Sequence, residues 1–190
     1  AIQRLTKLQI IYFANSPFTY DNIAVDWEDA NSDYAKQYEN EELSWSNLKD
    51  LTDVELYNCP NMTQLPDFLY DLPELQSLNI ACNRGISAAQ LKADWTRLAD
   101  DEDTGPKIQI FYMGYNNLEE FPASASLQKM VKLGLLDCVH NKVRHLEAFG
   151  TNVKLTDLKL DYNQIEEIPE DFCAFTDQAV SYTHLRAHET

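Results

Sequence analysis

Six times along this chain, similar side chains return at similar offsets, and a unit of this kind cannot bury its apolar face until it is stacked on another. The clearest case is residues 155–169. There Leu155, Leu158, Leu160, Asn163, Ile165 and Ile168-Pro169 spell L-x-x-L-x-L-x-x-N-x-I-x-x-I-P. With Leu155 as position 1, the frame also takes Leu133, Leu136, Cys138, Asn141, Val143 and Leu146, and likewise Ile108, Phe111, Met113, Asn116, Leu118 and Phe121-Pro122. Leu75, Leu78, Ile80, Asn83 and Ile86 fit with one extra residue before the last. Leu51, Val54, Leu56, Cys59, Met62 and Leu65-Pro66 share that variant. The weakest match is the first: Leu8, Ile11, Phe13, Ser16 and Phe18.

The frame has a mechanical reading. Positions 4 and 6 point inward on a short strand, the period-2 alternation of a half-buried sheet. Position 9 must turn the backbone while satisfying main-chain groups left in the bend, and an asparagine amide supplies both donors and an acceptor. Asn83, Asn116, Asn141 and Asn163 are expected to form a ladder, which Cys59 and Ser16 continue more weakly. Proline in the Leu65-Pro66, Phe121-Pro122 and Ile168-Pro169 pairs marks the turn onto the far side, where no ladder N–H is needed. Apolar groups beyond it (Phe68/Leu69/Leu72, Leu127/Met130, Phe172/Phe175) have the spacing of single helical or 3-10 turns.

This pattern resembles the leucine-rich-repeat consensus. The resemblance implies an α/β fold: a leucine-rich-repeat solenoid with a curved parallel sheet on one side and short helical or 3-10 segments on the convex side. Position-1 residues lie at 8, 51, 75, 108, 133 and 155. Since repeats of this class run roughly 20–29 residues, the first and third units carry insertions, at about 20–47 and 87–106. The later insertion reads as a helix: Ser87-Ala-Ala-Gln90 matches a capping box, and Leu91, Trp95 and Leu98 follow on one face. The acidic run 100–103 and Gly105-Pro106 end it. The earlier one holds eight acids, one lysine and Trp27, Tyr34, Tyr38 and Trp45. Asp26 is positioned to cap a helix there, whose aromatic stripe either packs on the convex side or projects as a binding lobe.

The array spans residues 1–177 and looks cut at both ends. Ala1 opens inside the pattern, and residues 180–190 resemble the translation of a transposon-type sequencing adapter. Residues 178–190 are therefore set apart as an artefactual or disordered tail. The four cysteines are too scattered for a disulfide scaffold or zinc site and read as free, buried thiols.

No nucleophile elbow, zinc-protease helix or phosphate-cradling glycine loop is present, and Asp101-Glu-Asp103-Thr-Gly105 lacks the remaining ligands of a calcium loop. The chain is read as non-enzymatic, with no cofactor and no metal. Its formal charge of -16 repels phosphate backbones and anionic bilayers, which argues against nucleic-acid and membrane partners; it would steer a basic partner inward, and the plainer reading is solubility alone. The open sheet face is the expected ligand surface: Tyr12, Glu55, Asn79, Tyr112, Asp137 and Lys159 at position 5; Tyr57 and Asp161 at position 7; Asn58, Tyr115, His140 and Tyr162 at position 8. Tyrosines with acids beside them suit a basic peptide, a protein loop or a glycan. The plainer reading is that strand-forming residues populate an exposed sheet.

The insertions, the Asn-Cys-Pro-Asn turn at 58–61 and the Lys-Ala-Asp-Trp segment at 92–95 are similar to leucine-rich-repeat surface proteins of gut-dwelling bacteria. That likeness implies a cell-surface or extracellular protein-binding module; the alternative is the recognition arm of a larger enzyme or effector whose catalytic domain lies elsewhere.

Overall fold

The computed structural model describes residues 2–17, 44–151 and 154–172, together with the backbone of 181–183. Every repeat begins with a three-residue strand at positions 3–5: β1 Ile10–Tyr12, β2 Asp53–Glu55, β3 Ser77–Asn79, β4 Ile110–Tyr112, β5 Leu135–Asp137 and β6 Asp157–Lys159. These form one parallel sheet in chain order. The register never slips: Ile11, Val54, Leu78, Phe111, Leu136 and Leu158, all at position 4, are successive Cα partners. Strands this short hold because position 4 is buried in every one while its neighbours face the other way. Position 6 closes the core behind them: Leu56, Ile80, Met113, Cys138 and Leu160 are all buried.

A second, thinner ladder runs parallel to the sheet at position 13, where Glu120 bridges His145 and His145 bridges Glu167. Between the two ladders lies the column of position-9 side chains. The Nδ2 of Asn116 donates to Ile80 O and Met113 O, both at 3.0 Å. That of Asn141 donates to Met113 O at 2.9 Å and Cys138 O at 3.1 Å, and Asn163 reaches Cys138 O at 2.8 Å and Leu160 O at 3.0 Å. Each position-6 carbonyl in the middle of the column is thus shared by two asparagines. The expected ladder exists, and it is continuous.

The oxygen end of each amide differs with repeat type. Where the preceding unit carries the extra residue, the asparagine oxygen accepts its position-9 amide: Cys59 N–H donates to Asn83 Oδ1 at 2.7 Å and Asn83 N–H to Asn116 Oδ1 at 2.6 Å. Where it does not, the oxygen accepts the position-11 amide, from Leu118 at 2.9 Å and from Val143 at 3.0 Å. One inserted residue re-aims the turn and changes which N–H needs a partner. Gly85 sits in such a turn, where a Cβ would lie 2.7 Å from Met62 O and 2.8 Å from Pro60 O, so the two enlarged turns nest only without a side chain. Cys59 also does more than weaken the column. Its thiol donates to Phe13 O at 2.9 Å, taking the donor role of the missing asparagine.

The convex side follows the sequence reading in form. Pro66 leads into a 3-10 helix, Asp67–Asp71, and Pro122 precedes a short helix, Ser124–Leu127. The third unit's insertion is a helix, Ala88–Asp100 (α1), capped by Ser87, whose side chain accepts from Gln90 N–H at 3.2 Å. The reciprocal half of the expected capping box is not made. Gln90 instead donates its side chain to Asp94 Oδ1 at 2.7 Å, and Asp94 Oδ2 accepts the Leu65 amide at 2.9 Å. Asp94 is 6% exposed, and burial pushes its pKa up. It ties the insertion to the second repeat's turn. Leu91, Trp95 and Leu98 are buried as expected. Trp95 meets Phe111 and Phe121 edge-on, and Phe121–Phe149–Phe172 continue as an aromatic spine along the array.

Of the first insertion, Asp26, Trp27, Tyr34 and Tyr38 lie outside the described residues. Trp45, at its end, stacks on Phe68 with centroids 4.1 Å apart on the convex side. Cys59 and Cys138 are buried free thiols, but Cys82 is only half-buried. Within the segment set apart as a tail, Ser181–Thr183 forms β7, with Tyr182 opposite Leu158. A parallel edge presents unpaired N–H and C=O groups to any extended backbone, so this pairing is blind to where those residues come from.

Candidate functional site

The side chains read as recognition residues stand in straight rows because the sheet register is uniform. Position 5 brings Tyr12, Glu55, Asn79, Tyr112, Asp137 and Lys159 side by side on the face opposite the core. Two of them fold back to satisfy position-7 amides: Asn79 Oδ1 accepts from Ala81 N–H at 2.9 Å and Asp137 Oδ1 from Val139 N–H at 3.2 Å. The other oxygen of Asp137 lies 3.4 Å from Lys159 Nζ, so these two candidates are partners of one another.

Position 8 has a property that its composition hides. Asn15, Asn58, Cys82, Tyr115, His140 and Tyr162 all have positive φ, between 51° and 65°. This left-handed turn bends the chain from the strand into the position-9 column, and asparagine adopts it with least strain among side-chain-bearing residues. The early repeats use Asn15 and Asn58, whose amides hydrogen-bond to one another at 2.7 Å. The later ones hold aromatic rings there. Tyr115 and His140 stack with centroids 4.3 Å apart, and His140 and Tyr162 at 4.0 Å, with interplanar angles of 18° and 10°. The repeat spacing matches ring stacking, which offsets part of the backbone cost.

Between these rows lies a concave pocket of about 340 Å³. Five of the expected site residues line it: Tyr57, Asn79, Tyr112, Tyr115 and Asp137. The others do not. Tyr12 and Tyr162 are exposed at 67% and 64% towards the two ends of the array, and Glu55, Asn58, His140, Lys159 and Asp161 lie outside its lining. The sequence reading missed the residues that make the hollow: Ala81, Gly114 and Val139 at position 7, and Cys82. The signal was there, since two very small residues at position 7 fall between Tyr57 and Asp161 and leave a gap in that row. At Gly114 an added Cβ would lie 3.0 Å from Val139 Cγ2 and 3.3 Å from Asp137 Oδ1. Within the pocket, the Cys82 thiol next to Tyr57 raises the phenol pKa.

No group of His, Cys, Asp and Glu among the described residues is arranged to hold a metal ion. The Asp101 carboxylate in the acidic turn is occupied with the Thr104 amide at 2.7 Å and the Asp103 amide at 3.2 Å. No helix among them is long and apolar enough to cross a membrane.

Known proteins share this architecture. The Leucine Rich Repeat family profile matches residues 154–175, the sixth repeat. A solved leucine-rich repeat protein from Bacteroides thetaiotaomicron is 96% identical over 96% of this chain with a TM-score of 0.89. Another, from Bacteroides eggerthii, is 59% identical over 90% with a TM-score of 0.85. The chain spans 22% and 28% of the length of those two. A Toll-like receptor 7 of Drosophila melanogaster is 31% identical over 107 residues, which is 55% of this chain and 7% of the receptor. Frame, asparagine column, parallel register and likeness to the Bacteroides proteins agree: this chain is a run of leucine-rich repeats folded as an α/β solenoid.

Proposed function

We propose that this run of repeats is a non-catalytic binding module that takes a protein or peptide partner on its open sheet face. The observation that carries the reading is the row geometry: uniform parallel register stacks exposed tyrosines and half-buried carboxylates in fixed lines. Tyr12, Tyr57, Tyr115 and Tyr162 are the exposed aromatics of that face. Such residues bury much area at little rotamer cost, as binding hot spots require. The net charge of -16 favours a basic partner and steers it inward. The setting that goes with this reading is the cell surface or exterior, in line with the partial match to a Toll-like receptor.

The test places a photo-crosslinking residue at Tyr112 or Tyr162, and at Glu74 on the other side as a control, in the full protein in its own host. Adducts should form from the first two positions. Alanine at the central tyrosines should then weaken the captured interaction by about 2 kcal/mol each. Adducts from position 74 alone, or a tyrosine scan that leaves affinity unchanged, would remove the open face from consideration.

A further inference from the structure

Building on the open-face reading, we propose that the pocket spanning the second to fifth repeats is a receptor for one arginine side chain of the partner. Its walls are Tyr57, Tyr112 and Tyr115, its floor is Ala81 and Gly114, and its polar end is Asp137. An arginine has an apolar stem, a flat cation that stacks on aromatic faces, and donors only. Each of these meets a counterpart here.

Asp137 Oδ1 holds the Val139 amide, and its Oδ2 is left to face a cation. The floor amides of Ala81 and Val139 are already spent on Asn79 and Asp137. Those of Cys82 and Tyr115 are spent on Gly114 O and Val139 O. Asp137 remains as an acceptor whose charge is only partly screened, with 16% of its side chain exposed. The protein also supplies an internal precedent: the Lys159 ammonium approaches Asp137 Oδ2 at 3.4 Å from the neighbouring repeat. That contact is long and its ammonium is partly exposed, so it competes weakly and leaves the carboxylate available to a second cation. The hollow also depends on small side chains at position 7, because a residue the size of Tyr57 at Gly114 would fill it.

The experiment is an NMR titration of the full chain with N-acetyl-arginine-amide, and with N-acetyl-citrulline-amide, which has nearly the same shape and no charge. Arginine should shift the Gly114 and Val139 amides, and citrulline should bind roughly fivefold more weakly or worse. Asp137→Asn keeps an oxygen for the Val139 amide but removes the charge, and should weaken arginine binding by a similar factor. Lys159→Met removes the internal competitor and should tighten it, an outcome that a purely structural role for Asp137 does not produce. Equal binding of arginine and citrulline, or a neutral sugar shifting these amides when arginine does not, would overturn the assignment. If arginine fails while alanine at Tyr12 or Tyr162 still weakens the crosslinked partner, the pocket is wrong and the open face stands. If both fail, the open-face reading falls with it.

Discussion

Replacing Asn116 by alanine tests the asparagine column at its centre. The side chain is 4% exposed and makes three bonds: Oδ1 accepts the Asn83 amide, and Nδ2 donates to Ile80 O and Met113 O. The losses are unequal. Ile80 O keeps the Asn83 Nδ2 donor at 2.8 Å, and Met113 O keeps that of Asn141 at 2.9 Å, so neither carbonyl is orphaned. The Asn83 N–H is buried and loses its acceptor. That group alone should cost about 1–3 kcal/mol, and the two weakened carbonyl sites about 0.5 kcal/mol each, for a total of about 2–4 kcal/mol. Equilibrium urea unfolding followed by tryptophan fluorescence would read it, since Trp95 is buried beside Phe111 and Phe121 in the same repeats. Amide exchange localises it: protection should fall most at Asn83 and less at Met113 and Tyr115. A variant within about 0.5 kcal/mol of the parent, or one whose exchange rises evenly throughout, would show that the column is not what satisfies the bend.

Three further outcomes follow from the same geometry. Asp94→Ala should cost about 1–3 kcal/mol by stranding the Leu65 amide, whereas Asp94→Asn keeps an acceptor and should cost less. Because burial raises the Asp94 pKa above its ordinary 3.8, the folded state holds the proton more tightly than the unfolded one. Stability from this group is full below 3.8 and lost as pH rises through the folded value, so the Tm deficit of the Asn variant against wild type should shrink with pH across that window and then level off; a constant difference would refute the assignment. At position 8, His140→Val forces a β-branched residue to φ of +52° and removes two ring stacks, so it should cost about 2–4 kcal/mol, and clearly more than His140→Gly, which relieves the backbone. Truncating Leu136, fully buried at position 4, should cost about 2–5 kcal/mol in urea unfolding, and a cost below 1 would mean the strand face is not packed.

The repeat frame was legible because each unit states its own inside and outside. The period-2 alternation at Leu136 and Cys138, or Leu158 and Leu160, has one burial solution, and the repetition of asparagine at position 9 marks the bend without reference to anything distant. Capping chemistry likewise announced the start of α1 at Ser87. The role of Asp94 was not legible, since its partner is the Leu65 amide, 29 residues away. The left-handed backbone at position 8 could be inferred from Asn15 and Asn58 but not from Tyr115, His140 and Tyr162, whose rings are held there by neighbours in adjoining repeats.

The chain alone therefore determined the stack, its register and which side chains face away from the core, because these depend on short-range periodicity that every unit repeats. Tertiary structure decided where the open face becomes a pocket, which carboxylate is engaged by Lys159, and which amide each asparagine must satisfy. These depend on the contents of adjacent repeats at the same position, a sideways relation that a linear string does not display. Ala81 and Gly114 are only two small residues until Tyr57 and Val139 stand on either side of them.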